Sequence, residues 1–211
     1  MPPLLTIKNL RVTFTNDGII NTVVKDINFA IEKGKITALV GESGSGKSIT
    51  ALSLLKLLPP NANATGEILF CNCQSSTNLL HLSSKKINTI RGNSISMIFQ
   101  EPMTSLNPVL TCGRQVIEVL VKHKKYSSKV AREITIQLFE KTGLPNPEQI
   151  LKRYPHQLSG GQKQRIMIAM AICCNPTLLI ADEPTTALDV TVQKNILSLI
   201  KNLQVQNSMA V

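Results

Sequence analysis

The sequence contains no tryptophan, and five phenylalanines and two tyrosines bring its aromatic content to only 3%. A core must therefore be filled by Leu, Ile, Val, Ala and Met, which the 43% hydrophobic content supplies over 211 residues. That length suits one α/β domain with room for a subdomain. No apolar run approaches the ~20 residues of a membrane-spanning helix. The longest, residues 166–174, falls far short, and the stretch from Met1 to Leu10 lacks the basic start and apolar block of a secretory leader. A soluble or peripheral protein is expected. The five cysteines are odd in number and include no C-x-x-C pair, which argues against a disulfide framework and against a zinc site. A reduced, cytosolic setting is the simplest expectation. Cys173 and Cys174 lie in an apolar helical run and read as small core residues.

Acidic residues are also few, 13 against 23 lysines and arginines, for a net charge of +10. Such an excess serves solubility, or attraction to an anionic ligand, an acidic lipid surface or nucleic acid, and composition leaves these open. The clusters Lys85-Lys86 and Lys122-His123-Lys124-Lys125 carry no interleaved aromatics for base stacking, so nucleic acid is disfavoured as a partner.

What is present alternates strand and helix at both ends of the chain. Short strands are predicted at residues 4–7, 23–31, 68–70 and 95–99. Another is predicted at 36–40, an apolar run bounded by Gly34 and Gly41 as a buried strand would be. Residues 47–58 read as a helix stopped by Pro59-Pro60. Between residues 103 and 155 helical patches dominate, at 115–122 and at 130–142. In the second, Val130, Ile134 and Leu138 share a face, and Gly143 followed by Pro145 ends it. A helix at 160–174, a strand at 177–181 and a helix at about 191–204 follow, the last with Val192, Ile196, Leu199, Ile200 and Leu203 as its apolar stripe. A parallel-sheet α/β core carrying a helical subdomain is the expected architecture.

Three clusters carry chemistry. Gly41-Glu42-Ser43-Gly44-Ser45-Gly46-Lys47-Ser48 fits GxxxxGK[ST], with a predicted strand before it and a helix after it. Glycines let the backbone turn its N–H groups inward, toward phosphate oxygens at a helix N-terminus. Lys47 would face the β- and γ-phosphates, and the Ser48 hydroxyl would coordinate Mg²⁺. Asp182 and Glu183 end the apolar run 178–181, at the strand end where α/β proteins bind ligands. Neighbours on a strand point to opposite faces, so two roles are natural: Asp182 on Mg²⁺ through water, Glu183 orienting and deprotonating an attacking water. The third is Leu158-Ser159-Gly160-Gly161-Gln162, expected by chance in on the order of one chain in several thousand. Ser159 and Gln162 also have capping-box spacing, and a capped helix N-terminus is itself an anion site, so the two readings are compatible.

The sequence at this point resembles the ABC ATPase family, over almost the whole chain. LSGGQ is that family's signature, and the resemblance implies that Ser159, Gly160, Gly161 and Gln162 contact the γ-phosphate of ATP held by an opposite subunit. The implied assembly is a head-to-tail dimer, with an identical or a different ATPase subunit, sandwiching two ATP molecules with Mg²⁺. Gln100 looks like the Q-loop glutamine that senses Mg²⁺ and the water. Thr186-Ala187-Leu188-Asp189 looks like the D-loop, although Asp189 equally suits a helix cap. Phe14 stands where the family places an adenine-stacking aromatic. The implied fold is a P-loop NTPase with a RecA-like parallel-sheet core, an N-terminal antiparallel β-subdomain and an all-helical insert, here residues 103–163. Within the family, Gln100-Glu101-Pro102-Met103-Thr104-Ser105-Leu106-Asn107-Pro108, Tyr154-Pro155-His156-Gln157 and residues 181–193 resemble ATPases of oligopeptide, dipeptide and nickel importers. That likeness implies transmembrane permease partners, a solute-binding protein acting indirectly, and a peripheral place on the cytoplasmic face of the bacterial inner membrane.

The family's switch histidine would follow one more strand after the 191–204 helix, and Met209-Ala210-Val211 could begin that strand. His81, His123 and His156 lie upstream in other contexts. The expectation is a C-terminally truncated domain lacking a core strand between 36–40 and 177–181, with both neighbours short of backbone partners. Each unsatisfied buried group costs roughly 1–3 kcal/mol, against a domain's total of ~5–15 kcal/mol, so weak nucleotide binding and slow hydrolysis are expected. A catalytically weak remnant and the first half of a fused tandem ATPase are the alternatives. A DNA-maintenance ABC ATPase is disfavoured, because no sustained heptads separate the motifs and no zinc cysteine cluster is present.

Overall fold

The structure, a computed structural model, describes residues 2–72, 75–100, 105–186 and 188–211. It divides into two units, Met1–Arg91 with Ala210–Val211, and Gly92–Met209.

The first unit is built on an antiparallel sheet of β1 (Leu5–Asn16), β2 (Ile19–Ile31), β3 (Ala62–Asn72) and β4 (Ser75–Asn78), in the order β2-β1-β3-β4. β1 and β2 are far longer than the predicted 4–7 and 23–31. The reason is the two-residue turn Asp17-Gly18, both residues at positive φ (49° and 78°), which is the hairpin geometry that matches strand twist. Leu5 and Ile7, then Leu10 and Val12 after a register shift at residues 8–9, are the buried residues of β1, with Val24, Ile31, Ile68 and Phe70 of its neighbours.

α1 (Lys47–Leu54) ends four residues before the predicted stop at 58. The chain leaves the helix at Leu55 and Lys56, the latter at φ 51°. A residue far along the chain fixes this end: the Arg91 guanidinium donates from Nε to the Leu55 carbonyl and from Nη2 to the Lys56 carbonyl, 2.7 Å each. α2 (Ser84–Ile90) starts at Ser83, whose hydroxyl accepts from the Lys86 amide.

The predicted buried strand at 36–40 is contradicted. Those residues join no sheet, and Ile36, Leu39 and Val40 are 51%, 48% and 89% exposed. A strand exists by virtue of its partner. Here the long-range backbone bonds are Thr37 N–H to Val211 O (2.8 Å) and Val211 N–H to Lys35 O (2.9 Å). They hold residues 35–37, and among the described residues 38–40 join no ladder.

The second unit pairs β5 (Ile95–Ile98) and β6 (Leu178–Ala181) in parallel, as the predicted α/β core requires. Around them lie α3 (Cys112–Lys124), α4 (Ser128–Lys141), α5 (Pro147–Ile150), α6 (Gly160–Ile172) and α7 (Val190–Asn207). Leu178 and Leu179 are both buried, as befits a parallel strand covered on two faces. α6 is the most enclosed helix: Ile166, Met167, Ile168, Ala169 and Ile172 are all buried. Cys173 and Cys174 follow it and are buried as predicted. The stripe of α7 is also as predicted at Ile196, Ile200 and Leu203.

In α4 the buried row is Ala131, Thr135 and Phe139, one position on from the predicted Val130, Ile134 and Leu138, and Val130 is exposed. Thr135 tolerates burial because its hydroxyl donates to the Ala131 carbonyl at 2.7 Å, and its small bulk beside Ala131 leaves Phe139 as the filling residue. The helix closes through Gly143 at φ 73°, with the Leu144 amide reaching back to Phe139 O at 2.9 Å. Among the described residues no helix is long and apolar enough to cross a membrane.

Candidate functional site

The two units hold different parts of the predicted site: Phe14 and Gly41–Ser48 in the first, and Gln100, Ser159–Gln162, Asp182, Glu183 and Asp189 in the second.

In the first unit, the chain from Gly41 to Ser48 forms a turn that leads into α1. Within it the Ser45 amide donates to Glu42 O at 3.2 Å. Gly46 is the N-cap at φ 91°, and a Cβ there would lie 3.1 Å from Val24 Cγ2 on β2. A side chain is thus disfavoured by conformation and crowded by β2. A Cβ at Gly41 would fall 2.7 Å from Ser45 Oγ, so the Ser45 side chain fills the space that a side chain at Gly41 would need. No acidic residue stands in the first turn of α1 to compete with an anion for the helix end. The Lys47 ammonium folds over the turn and donates to Gly41 O at 2.9 Å and Glu42 O at 2.8 Å. Ser43 and Gly44 form the exposed tip, and Ser48 is the second residue of the helix. Phe14 lies on β1, half-buried, opposite Asn21 of β2 and Ala62 of β3.

In the second unit, Gln100 and Asp182 stand just past the ends of the parallel strands. The Asp182 amide donates to Ile98 O at 3.0 Å, extending the pairing one step beyond β6. That step carries Glu183 to the strand end beside Gln100, whose Nε2 donates to Glu183 Oε2 at 2.9 Å. The Thr186 hydroxyl meets the same oxygen at 3.0 Å. Glu183 itself adopts φ 45°, a left-handed conformation that non-glycine residues seldom hold without support.

Ser159 caps α6, its hydroxyl accepting from the Gln162 amide (3.3 Å) while Gln162 Oε1 accepts from the Ser159 amide (3.1 Å). The capping-box reading therefore holds, and Gln162 lends its side chain to the cap. Gly160 and Gly161 face the start of α7: a Cβ at either would meet Leu188 (3.5 Å) or Val192 (3.3 Å). Asp189 caps α7, accepting from the Val192 amide at 3.0 Å, as its cap reading expects. Glu101, Pro102, Met103, Thr104 and Ala187, part of the importer-like and D-loop segments, lie outside the described residues.

Sequence reasoning missed Gln164 and Gln193. Gln164 Nε2 donates to Pro184 O at 2.7 Å. Gln193 Nε2 donates to Thr185 O at 3.1 Å and Leu188 O at 3.0 Å. One signal was available: Gln164 is a polar residue beside the apolar run Ile166–Ala169, where a buried amide needs a partner.

Solved structures with this fold are ATP-binding cassettes. The dimeric post-hydrolysis state of the ATP-binding cassette MJ0796 bound to ADP and Pi is similar at a TM-score of 0.82 and 29% identity, over 98% of this chain and 85% of that one. The cbiO1 protein of Clostridium perfringens, part of the ABC transporter complex cbiONQ, is similar at 0.77 and 27%, over 100% and 77%. The fold is thus that of a P-loop NTPase. A family model described as ABC transporter matches residues 24–186, and the chain belongs to the ABC transporter family. The dipeptide transport ATP-binding protein DppD of Bacillus subtilis is 50% identical over 100% of this chain and 62% of its own length. The oligopeptide transport ATP-binding protein OppD of the same organism is 48% identical over 95% and 56%. The chain therefore spans about three fifths of the length of these curated relatives.

Proposed function

We infer that the chain is the ATP-binding and ATP-hydrolysing part of a subunit that energises uptake of oligopeptides, dipeptides or a related solute such as nickel. The reading includes a second ATPase subunit meeting it head to tail, transmembrane permease partners, an indirectly acting solute-binding protein, and a peripheral site on the cytoplasmic face of the bacterial inner membrane. The observation that carries it is the glycine-rich turn Gly41–Ser48, closed by the Lys47 ammonium and leading into the start of α1, with Gly46 at positive φ as its N-cap. The names of the relatives support the solute class.

The residues fit the nucleotide and its metal. Gly41 adds no side chain to the turn, and the space a Cβ would take there is held by the Ser45 hydroxyl, itself a polar group suited to a phosphate. Ser48, Gln100 and Asp182 offer the hard oxygen donors that Mg²⁺ prefers. Bound Mg²⁺ neutralises charge on the β- and γ-phosphates. Lys47 exchanges its two carbonyl acceptors for phosphate oxygens, and Phe14 stacks on the adenine. Ser159, Gly160, Gly161 and Gln162 face the nucleotide of the partner subunit, with Asp189 beside them. Glu183 is the general base. Its two donors, Gln100 and Thr186, both converge on Oε2, which directs Oε1 to the water proton.

Glu183→Gln keeps the shape and the strand end but removes the basic oxygen. It should retain MgATP binding in an equilibrium assay and lower turnover by at least about a hundredfold. Wild-type turnover in that variant would remove Glu183 from the mechanism.

A further inference from the structure

Gln164 is wholly buried on α6. It gives its Nε2 to the Pro184 carbonyl, while its Oε1 meets no donor among the described residues. A buried acceptor without a partner costs roughly 1–3 kcal/mol. An apolar residue, like Ile166, Met167 and Ile168 beside it, would avoid that cost, and what the amide supplies that they could not is its bond to the Pro184 carbonyl. What it holds is the residue after Glu183. The backbone there is a tight turn, with the Thr186 amide donating to Glu183 O (3.3 Å) and the Leu188 amide to Thr185 O (3.1 Å). From the other side, Gln193 on α7 takes Thr185 O and Leu188 O together. Two amide side chains, one from the helix capped by Ser159 and one from the helix capped by Asp189, thus grip the carbonyls of Pro184, Thr185 and Leu188. A left-handed non-glycine residue persists only where its surroundings over-determine it, and Glu183 opens this gripped segment.

We propose that Gln164 and Gln193 are positioning residues: together they clamp the turn after Glu183 and so aim its carboxylate at the reacting water. The proposal rests on the reading of Glu183 as the base. It also ties the aim of that carboxylate to α6 and α7 of its own chain, because movement of either helix pulls on a carbonyl one to five residues past Glu183.

The test uses Gln164→Met and Gln193→Met in the 211-residue chain. Methionine keeps the length of glutamine. At Gln164 it also removes the unsatisfied acceptor along with the donor, so folding should survive. Amide hydrogen exchange at Thr186 and Leu188 should quicken about tenfold in each variant, with the amides of α6 unchanged. In steady-state ATPase assays kcat should fall about tenfold with KM for MgATP within about twofold, since the phosphate turn lies elsewhere in the chain. Wild-type exchange at Thr186 and Leu188 in both variants overturns the clamp, and so does a raised KM with unchanged kcat. Glu183→Gln is assayed alongside. If it turns over normally, the base assignment fails, and exchange alone then decides the clamp.

Discussion

Gly46 must both turn the backbone into the left-handed region and lie against β2, with 3.1 Å to Val24 Cγ2. Gly46→Ala meets the 1–2 kcal/mol of left-handed strain, an approximate figure, and pushes on that strand besides. Its unfolding free energy should fall by about 2 kcal/mol in a urea titration, and its affinity for MgATP should fall with it. Cys112 is governed by burial instead. At the start of α3 its thiol is pushed up to about 11, with the Lys163 ammonium pulling it only part of the way back. The thiolate is the reactive form, so Cys112 should stay unmodified by iodoacetamide at about pH 8 in the folded chain and react once the chain is unfolded in urea. Peptide mapping by mass spectrometry reads both states.

Helix ends are decided by contacts as much as by propensity. Arg91 closes α1 through two charge-assisted bonds to the carbonyls of Leu55 and Lys56, just past its end. Arg91→Ala should therefore lower stability by about 2–3 kcal/mol, read from the denaturant midpoint. That contact explains why the predicted helix at 47–58 ran too long: its terminator lies 35 residues away from Lys56, beyond any local signal. The same division recurs elsewhere. The stripe of α7 was legible because Ile196, Ile200 and Leu203 are large and apolar, with the buried Gln204 the one exception in the helix. In α4 the buried row includes Ala131 and Thr135, which read as neutral positions until their packing is seen. Asp17-Gly18 was a readable hairpin turn, and passing over it cut both flanking strands short.

At the scale of the molecule, candidate site residues stand out in the sequence more readily than strand pairing does. Lys47, Asp182, Glu183 and Ser159 are singled out by motif spacing, because the phosphate and metal chemistry proposed for them would demand fixed residue types. Gln164 and Gln193 are not, because what they bind is a carbonyl, which every residue carries. The strand at 36–40 was misread for a related reason, since apolar content signals a strand only where another strand lies beside it. Its exposed Ile36, Leu39 and Val40 form an apolar edge against which a second molecule could pack. A formal charge of +10 keeps such molecules apart in dilute buffer. Raising ionic strength toward 1 M shrinks the reach of that repulsion to about 3 Å. Light scattering should accordingly report a colloid that is monodisperse at low salt and grows as salt is added, the reverse of assembly through ion pairs. Val40→Lys should blunt the growth, whereas a salt-independent particle size would acquit this edge.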